Sequence, residues 1–488
     1  MPSLGPAQTR VVIVGAGFGG IGLAIKLKTS DFNDFVILEK SASVGGVWSS
    51  NRYPGAACDV PSHLYSFSFE PRADWPERYA SQAEILKYLR HCVQKYRLES
   101  HVLFGAEVTE AIWNEEAAHW TVRTAEGRVF ETQALVTATG QLSRPFVPPL
   151  PGLKDFSGAA FHSAQWPQTL DLCGKRVAVI GTGASAIQVV PSIAPLVSKL
   201  YVFQRSAAYI LPKRDRTYSR LELALFRSFP AALKLSRLWM YLQHEARAFA
   251  FVTWRAALKV KRGAFLRNLE RGVGDPELRQ RLIPDYNFGC KRILLSNDFF
   301  PALARANVEL VTHAIREIRP HGIADQTGAE RAVDCIICAT GFSATDFLVP
   351  IKITGIAGQD LHQSWKTGAE AYLGMSISGF PNLFMLYGPN TNLAHNSIVY
   401  MIEGQIRYVM SCLERLRRGE IRALDVKKTV QQSFNARIQR RLQKSVWAKG
   451  CTSWYLTAAR KNTTNWPGYS LGFRLRTRVP RWDDYAVQ

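Results

Sequence analysis

The sequence predicts an α/β protein with two Rossmann-like dinucleotide-binding domains and a helical insertion in the second. Two observations predict the domains: a strand, a glycine-rich loop and a helix follow one another twice along the chain, and a further short strand completes each unit. A third observation, a stretch rich in Leu, Ala, Arg and Phe after the second unit, predicts the insertion. The 488 residues suffice for two or three domains.

The first unit lies near the N-terminus. A β-branched strand over 11–14 precedes the loop G-A-G-F-G-G over 15–20 and a helical run over 21–28. A second strand over 35–38 then ends at Glu39. The pattern is typical of a βαβ unit in a parallel sheet.

The glycines of the first loop predict what it binds. Gly15 allows the tight turn, Gly17 lets the backbone approach a pyrophosphate, and Gly20 lets the helix pack closely on the strand. The helix N-terminus attracts phosphates, and Glu39 accepts hydrogen bonds from ribose hydroxyls. We therefore expect a dinucleotide here.

The second unit repeats this order. A strand over 176–180 leads into G-T-G-A-S-A over 181–186, a helix to about residue 193, and a strand over 200–203. Arg205 stands close to where an acid would bind the ribose, and an arginine can bind a 2′-phosphate through two hydrogen bonds. NADPH is therefore favoured over NADH. The expected contacts at this loop are Gly181, Gly183, Ser185 and Ala186, and Lys213 and Arg214 are further candidates for the phosphate.

A chain with two dinucleotide sites transfers electrons between them, and a hydride from NADPH needs an acceptor, which indicates FAD at the first loop. Two further strands, over 134–137 and 335–338, both run into A-T-G and are expected to close the two sheets. The predicted division is an FAD-binding domain over 1–150 and 380–488, an NADPH-binding domain over 151–219 and 284–379, and a helical insertion over 220–283.

Composition excludes several other classes of protein. The net charge is +22, but the basic residues are scattered, which argues against a nucleic-acid partner. No stretch is apolar and long enough to span a bilayer, and we expect a soluble cytoplasmic protein. The insertion, with Trp239, Trp254 and Phe265, predicts a packed helical lid, with weak membrane-surface contact as the alternative. Eight irregularly spaced cysteines predict no disulfide framework. We expect no metal site.

Three motifs resemble those of one known family. Residues 156–167 match F-x-G-x-x-x-H-x-x-x-W-P, residues 45–59 match G-G-x-W-x-x-x-x-Y-P-G-x-x-x-D, and residues 290–292 are similar to a K-R segment. Over residues 11 to about 470, the chain resembles type I Baeyer–Villiger monooxygenases, which are class B enzymes of the flavin-containing monooxygenase superfamily. The matching positions of the first motif, a linker fingerprint in that family, are Phe156, Gly158, His162, Trp166 and Pro167.

The resemblance implies a reaction. NADPH reduces FAD, dioxygen adds to the reduced flavin, and the flavin peroxide attacks the carbonyl of a ketone or an aldehyde. The product is an ester or a lactone, and the second oxygen atom leaves as water. A peroxide anion needs a fixed positive charge in a water-poor site, and arginine supplies one because it stays protonated.

The resemblance also implies residue roles. Arg292 is the catalytic cation, Asp59 is the carboxylate that orients it, and Lys291 serves the NADPH phosphate. His162 fixes the linker by hydrogen bonds, and Trp454 lies near nicotinamide and substrate. Trp48 packs by the flavin ring, at which a helix starting near residue 395 aims its N-terminus. The remaining expected cofactor contacts are Phe18, Lys40, Gly46, Val47, Val60, Tyr65, Val108, Thr340 and Asn390.

Two other functions fit the loops. A flavin monooxygenase that oxidises nitrogen or sulfur keeps its peroxide protonated, and the pairing of Arg292 with Asp59 argues against it. A flavin reductase would pass electrons to a disulfide or to a membrane quinone. The disulfide version needs a redox pair at the first sheet, where Cys58 has no close partner in the sequence.

Overall fold

The first glycine loop belongs to a sheet built around the N-terminal strand. A computed structural model of the chain describes residues 6–252, 257–448 and 453–488. Strand Ala7–Val14 pairs in parallel with Phe35–Glu39 on one side and Val129–Thr137 on the other. Its last four residues, Val11 to Val14, are buried, as expected for a strand covered on both faces. Across the sheet the order is Lys352–Thr354, Val108–Asn114, His119–Thr124, Val129–Thr137, Ala7–Val14, Phe35–Glu39 and Val102–Phe104, and Leu383–Met385 also pairs with Val129–Thr137.

The second glycine loop belongs to a five-stranded, wholly parallel sheet. The order of its strands is Val308–Val311, Lys199–Phe203, Arg176–Ile180, Cys335–Cys338 and Ala159–His162. Residues Ala159–His162, within the linker fingerprint, are thus the edge strand of this sheet. The smaller sheets comprise Ile315–Arg319, Gly322–Asp325 and Glu330–Ala332; Ile210–Leu211 and Leu294–Leu295; and Leu424–Val426 and Tyr485–Val487.

The two strands that end in A-T-G do not close their sheets, so that prediction is wrong. Val129–Thr137 and Cys335–Cys338 each lie directly beside the strand that carries a glycine loop. In each sheet, the strand with the glycine loop has the second strand of the βαβ unit on one side and the A-T-G strand on the other. The chain therefore reverses its direction of winding at this point of the sheet. Ligands of open α/β sheets bind at such switch points.

One predicted domain boundary is also wrong. Strand Lys352–Thr354, assigned to the NADPH-binding domain, pairs in parallel with Val108–Asn114 of the first sheet. Ile353 and the neighbouring Phe347 and Ile351 are buried in the core of that first sheet. The chain therefore returns to the first sheet before residue 352 rather than at 380, because these apolar side chains find their packing partners there. We propose the rest of the predicted division for the domains.

The insertion is helical, as predicted, and its first helix begins at Arg220, the predicted boundary. Trp254 lies outside the described residues, Phe265 is fully buried, and Trp239 is exposed. The helix predicted from residue 395 starts at Ile398, and a short helix, Ser470–Arg476, lies near the C-terminal end of the sequence. The helices are Phe18–Lys28, Val47–Ser50, Gln82–Lys95, Ala186–Ile193, Arg220–Ser228, Pro230–Val252, Ala257–Gly272, Pro276–Arg281, Phe299–Leu303, Leu361–Ser364, Ile398–Arg417, Lys428–Gln443 and Ser470–Arg476.

The described helices and cysteines bear on two further predictions. In the described ranges, every helix is too short or too polar to cross a membrane. Cys58 is free and buried, and burial raises the pKa of its thiol, which is unlike a redox-active cysteine. Cys290 is disulfide-bonded, a bond that the irregular cysteine spacing did not reveal.

Candidate active site

The two glycine loops make the same tight turn. Gly15 has φ +104° and Gly181 has φ +114°, a region that side chains avoid. A Cβ on Gly15 would lie 2.8 Å from the carbonyl oxygen of Ala138, and one on Gly181 would lie 2.5 Å from that of Ala339. Each loop therefore turns directly against the A-T-G end of its neighbouring strand.

The first loop forms a cradle that side chains would fill. A Cβ on Gly17 would lie 3.7 Å from the Cα of Gly46, and one on Gly46 would lie 3.1 Å from the Cα of Gly17. Helix Phe18–Lys28 begins here, and no described side chain caps it, so its first N–H groups are available to a ligand. The geometry fits a pyrophosphate held between the two glycines.

Glu39 lies at the end of its strand, where a ribose is expected. Its carboxylate accepts hydrogen bonds from the backbone N–H of Ala16 at 2.8 Å and from the N–H and hydroxyl of Ser41 at 2.9 and 2.7 Å. These bonds hold the side chain against the loop while leaving it further acceptor capacity. The neighbouring Lys40 is exposed. The backbone N–H of Ala106 donates to the carbonyl of Glu39. Val108, two residues further along the chain, is buried.

The second loop is open where a ligand would approach. No described atom lies within 4 Å of a Cβ placed on Gly183. Helix Ala186–Ile193 starts after Ser185. Among the described residues, the Ser185 side chain makes no capping hydrogen bond to this helix. Thr340, in the adjoining A-T-G end, donates its hydroxyl to the carbonyl of Phe146 at 2.5 Å. The second helix N-terminus thus repeats the arrangement of the first.

Arg205 acts electrostatically on Lys291, although 86 positions separate them in the chain. Lys291 donates to the Ser206 hydroxyl at 3.0 Å and lies 4.4 Å from the ring centroid of Tyr286. Burial, with the charge of Arg205 as a second cause, lowers the pKa of Lys291. Two cations held together in this way fit a phosphate dianion.

Of the two further phosphate candidates, Lys213 lies elsewhere. Its ammonium group pairs with Asp215 at 2.7 Å and contributes to lowering the pKa of Asp59. It therefore belongs to the surroundings of the Asp59 carboxylate. Arg214 is exposed.

Asp59 and Arg292, 233 positions apart in the chain, form an ion pair. The Asp59 carboxylate accepts from Nη2 of Arg292 at 2.5 Å and from Nε at 3.2 Å. About a third of each side chain is accessible, 33% for Arg292 and 30% for Asp59, so the pair faces an opening. The structure thus brings together the two residues for which the sequence predicted a joint role.

The pair stays ionised. Burial alone would raise the pKa of Asp59, but the charge and hydrogen bonds of Arg292 outweigh it and hold that pKa below its usual range. The Asp59 carboxylate in turn raises the pKa of Arg292 beyond its already high value. The site therefore presents a cation whose charge does not change with pH.

Aromatic side chains build one wall beside the first loop. The indole of Trp48 donates to the Tyr65 hydroxyl at 3.3 Å, and the two rings meet edge to face at 5.6 Å. Phe18, the first helical residue, packs on Tyr65 at 5.1 Å. Val47 begins the short helix that carries Trp48, and Val60 follows Asp59 directly. All five of these residues were predicted as cofactor contacts.

The sequence reasoning missed two tyrosines of this site. Tyr387 and Tyr455 both act electrostatically on the Arg292 guanidinium, and burial raises the pKa of Tyr455 to about 12. The Tyr455 hydroxyl is buried and has no hydrogen-bond partner among the described residues. The one available signal was position, because Tyr387 precedes G-P-N and Tyr455 follows the predicted Trp454.

His162 ties the fingerprint to the second A-T-G end. Its Nε2 donates to the carbonyl of Gly341 at 2.9 Å, and its Nδ1 accepts from the N–H of Ala164 at 3.1 Å, which describes a neutral ring. Burial lowers the pKa of His162, in keeping with that neutral form. A Cβ on Gly158 would lie 2.3 Å from the Asp334 carbonyl oxygen.

The other fingerprint positions are packing residues. Trp166 meets Phe161 edge to face at 5.2 Å and is partly buried, as is the adjoining Pro167. Phe156 is buried against the second sheet.

Asn390 connects the G-P-N turn to the tail. Its amide nitrogen donates to the carbonyls of Asn462 at 2.9 Å and Asn465 at 3.1 Å. Its buried side-chain oxygen has no hydrogen-bond partner within the described ranges, which fits a site that a cofactor completes. Trp454 is 36% exposed and lies 4.5 Å from the Tyr455 ring, at the edge of the same site.

Comparisons with known proteins agree with this geometry. Residues 12–220 match the family model of pyridine nucleotide-disulphide oxidoreductases. A Baeyer–Villiger monooxygenase of Pseudomonas aeruginosa is 47% identical over 97% of this chain and 91% of its own length. The chain belongs to the type I Baeyer–Villiger monooxygenases. The family accounts for both the paired loops and the fingerprint between them.

Solved structures extend the comparison to the whole fold. An oxidised steroid monooxygenase bound to NADP superposes with a TM-score of 0.87 and 31% identity, over 99% of both chains. The OTEMO complex with FAD and NADP gives a TM-score of 0.89 and 25% identity, over 99% of this chain and 100% of that chain. The cofactors of this family member are FAD and NADPH, and the two loops fit them.

Proposed function

We propose that this chain inserts one oxygen atom of dioxygen beside the carbonyl of a ketone or an aldehyde, giving an ester or a lactone, and that NADPH supplies the electrons. The observation that carries the proposal is the ion pair between Asp59 and Arg292. When bound, FAD supplies the chemistry that accepts a hydride and activates dioxygen. The second oxygen atom leaves as water.

The chain's own residues bind the two cofactors in this proposal. Gly15, Gly17, Gly20 and Gly46 form the cradle for the FAD pyrophosphate, and Glu39 binds its ribose. At the second loop, Gly181 and Gly183 leave room for the NADPH pyrophosphate. Arg205 and Lys291, with the Ser206 hydroxyl bonded to Lys291, bind the 2′-phosphate.

Arg292 holds the positive charge that the reaction needs. Baeyer–Villiger chemistry uses a nucleophilic, anionic form of activated oxygen, whereas oxidation of nitrogen or sulfur uses a protonated, electrophilic form. A fixed guanidinium group favours the anion because it lowers the free energy of negative charge in its neighbourhood. Asp59 keeps the guanidinium in one orientation through two hydrogen bonds.

His162 is proposed as a positioning residue. It bonds through Nε2 to the carbonyl of Gly341 and so fixes the edge strand of the NADPH-binding sheet against the end of its neighbour. Since the ring is neutral and buried, it is suited to hold backbone geometry rather than to transfer protons.

The experiment that tests the function offers the purified holoenzyme two substrates, cyclohexanone and a methyl aryl thioether, with NADPH and air. We expect lactone from the ketone, together with NADPH oxidation that depends on the ketone. Formation of sulfoxide without any lactone would assign the chain to nitrogen or sulfur oxidation. NADPH oxidation that continues under nitrogen with a quinone as acceptor would make it a reductase.

A further inference from the structure

Helix Pro230–Val252 of the insertion buries Leu233, Met240 and Ala248 on its inner side and carries a further apolar row on its outer side. Leu235, Leu238, Trp239 and Leu242 recur at helical spacing on one face, and each exposes between 49% and 64% of its surface. Scattered exposed apolar residues are common, but a continuous row of large ones on one helix face is not.

Two charged side chains of this helix, Arg237 and Glu245, bond to neighbouring segments of the protein. Arg237 donates to the backbone carbonyls of His63 at 2.6 Å and Ser66 at 2.9 Å, and lies 3.7 Å from Glu403. Glu245 accepts from the Ser470 hydroxyl at 2.5 Å and from the N–H of Leu471 at 3.0 Å. Arg237 and Glu245 are therefore already engaged by the protein, whereas the row of Leu235, Leu238, Trp239 and Leu242 is directed outwards.

A second apolar row adjoins the first at Glu245. Helix Ser470–Arg476 and the residues after it expose Leu471, Leu475 and Val479 by 50% to 63%. The preceding helix, Arg220–Ser228, adds Leu221, and Phe229 follows it. We call these exposed residues the apolar rim, comprising Leu221, Phe229, Leu235, Leu238, Trp239, Leu242, Leu471, Leu475 and Val479.

The charges beside the apolar rim are basic. Exposed basic residues interleave with it on all three helices and just after the last: Arg220, Arg227, Lys234, Arg476 and Arg478.

The nearby acids are already paired. Residues 220–252 contain two acids, Glu222 and Glu245, and residues 469–479 contain none. Glu222 pairs with Arg216 at 2.6 Å, and Asp74, which Arg227 influences, pairs with Arg72 at 2.7 Å. The rim therefore combines an apolar row with uncompensated positive charge.

We propose that the apolar rim is a docking surface for an anionic phospholipid bilayer, on which the enzyme lies without spanning it. An amphipathic helix with leucines and a tryptophan on one face and nearby arginines and lysines is suited to the boundary between headgroups and acyl chains. The basic residues attract anionic headgroups. A second copy of the chain fits less well, because two such rims would bring like charges together.

The test is flotation of the FAD-loaded enzyme with vesicles of phosphatidylcholine containing about 30% phosphatidylglycerol, and with vesicles of phosphatidylcholine alone, at about 0.1 M salt. The key variant carries Leu238→Gln and Trp239→Gln. Its control carries Leu196→Gln, since Leu196 is 52% exposed in the second domain, away from the rim. Thermal unfolding of each variant confirms that it is folded.

We expect the wild-type enzyme and the Leu196→Gln control to float with the anionic vesicles, and binding to fall on the order of tenfold without the anionic lipid. The double variant is expected to bind the anionic vesicles on the order of 100-fold more weakly. The proposal is overturned if the wild-type enzyme floats with neither vesicle, or if the double variant floats as well as wild type. It is equally overturned if light scattering shows a dimer that the double variant dissociates, because the rim is then an interface between copies.

Discussion

Replacing Arg292 by alanine separates oxygen insertion from the earlier steps. The substitution removes the cation that Asp59 holds by two hydrogen bonds and leaves the glycine loops untouched. Loss of one preorganised charge-stabilising group costs about 10²–10³ in kcat, or about 2.7–4 kcal/mol of transition-state stabilisation. We therefore expect ester formation from a ketone to fall by at least about 100-fold.

The same substitution has a smaller effect on stability. Removing one partner of a fully buried ion pair costs about 3–5 kcal/mol. About a third of each side chain is accessible here, so solvent screens the Asp59 carboxylate that remains in the variant. We therefore expect the free energy of unfolding to fall by only about 1–2 kcal/mol. Burial then dominates at Asp59, so its pKa rises in the variant.

The assay combines gas chromatography of the ester with anaerobic stopped-flow measurement of flavin reduction by NADPH. Reduction is expected to change by less than about fivefold, since the charge acts on a later step. Arg292→Lys is the matched control: it keeps a charge but loses the two-contact geometry, so its rate should lie between wild type and Arg292→Ala. Ester formation by Arg292→Ala at the wild-type rate would refute the mechanism.

Three other perturbations have equally definite outcomes. Arg205→Ala is expected to raise the KM for NADPH by about tenfold or more and to leave that for NADH nearly unchanged, because only NADPH carries the 2′-phosphate. Gly15→Ala should abolish FAD retention, measured by flavin absorbance after gel filtration, since the new Cβ would lie 2.8 Å from the Ala138 oxygen at φ +104°. His63→Asn should flatten the acid side of the pH–stability profile, measured by denaturant unfolding. Burial lowers the pKa of His63 to about 4, so its contribution is complete above about pH 6.5 and is lost at about 1.4 kcal/mol per unit as the pH falls towards 4.

Each of these perturbations has a matched control. Arg144, a partly exposed arginine paired with Asp346, should tolerate alanine without changing either KM. Gly127 has φ +82° but no described atom within 4 Å, so Gly127→Ala should lower stability and keep FAD. His313 is exposed, so His313→Asn should keep the wild-type slope of the free energy of unfolding against pH. If Arg205→Ala raised the KM for NADPH and for NADH equally, the 2′-phosphate assignment would be wrong. If Gly15→Ala retained FAD, the steric argument at the first loop would be wrong. If His63→Asn left the slope of the free energy of unfolding against pH unchanged, the pKa argument would be wrong.

The sequence by itself determined the parts of this protein that are local in the chain. A glycine-rich turn needs its strand, its small residues and its helix within about 30 consecutive residues, so both loops could be predicted. Strand Arg176–Ile180 agrees with its prediction residue for residue, and helix Ala186–Ile193 ends where predicted. Secondary structure of this kind depends on apolar periodicity and turn residues, which the sequence displays directly.

Only the tertiary structure decided what depends on contacts across the chain. The distance between Asp59 and Arg292, the electrostatic effect of Arg205 on Lys291, and the burial of Tyr455 all require segments that lie far apart in the sequence. The same holds for strand Lys352–Thr354, whose three residues show no pattern that reveals which sheet they join.

The long insertion helix shows the physical reason most clearly. Its sequence predicts a helix, but periodicity cannot tell which of two faces meets the protein. The neighbouring segments decided it: the backbone carbonyls of His63 and Ser66 and the tail residue Ser470 offered hydrogen-bond partners to Arg237 and Glu245. Arg237 and Glu245 turned inwards, where those polar partners lie and where Leu233 and Met240 are buried, and Trp239 and its neighbouring leucines were left on the surface.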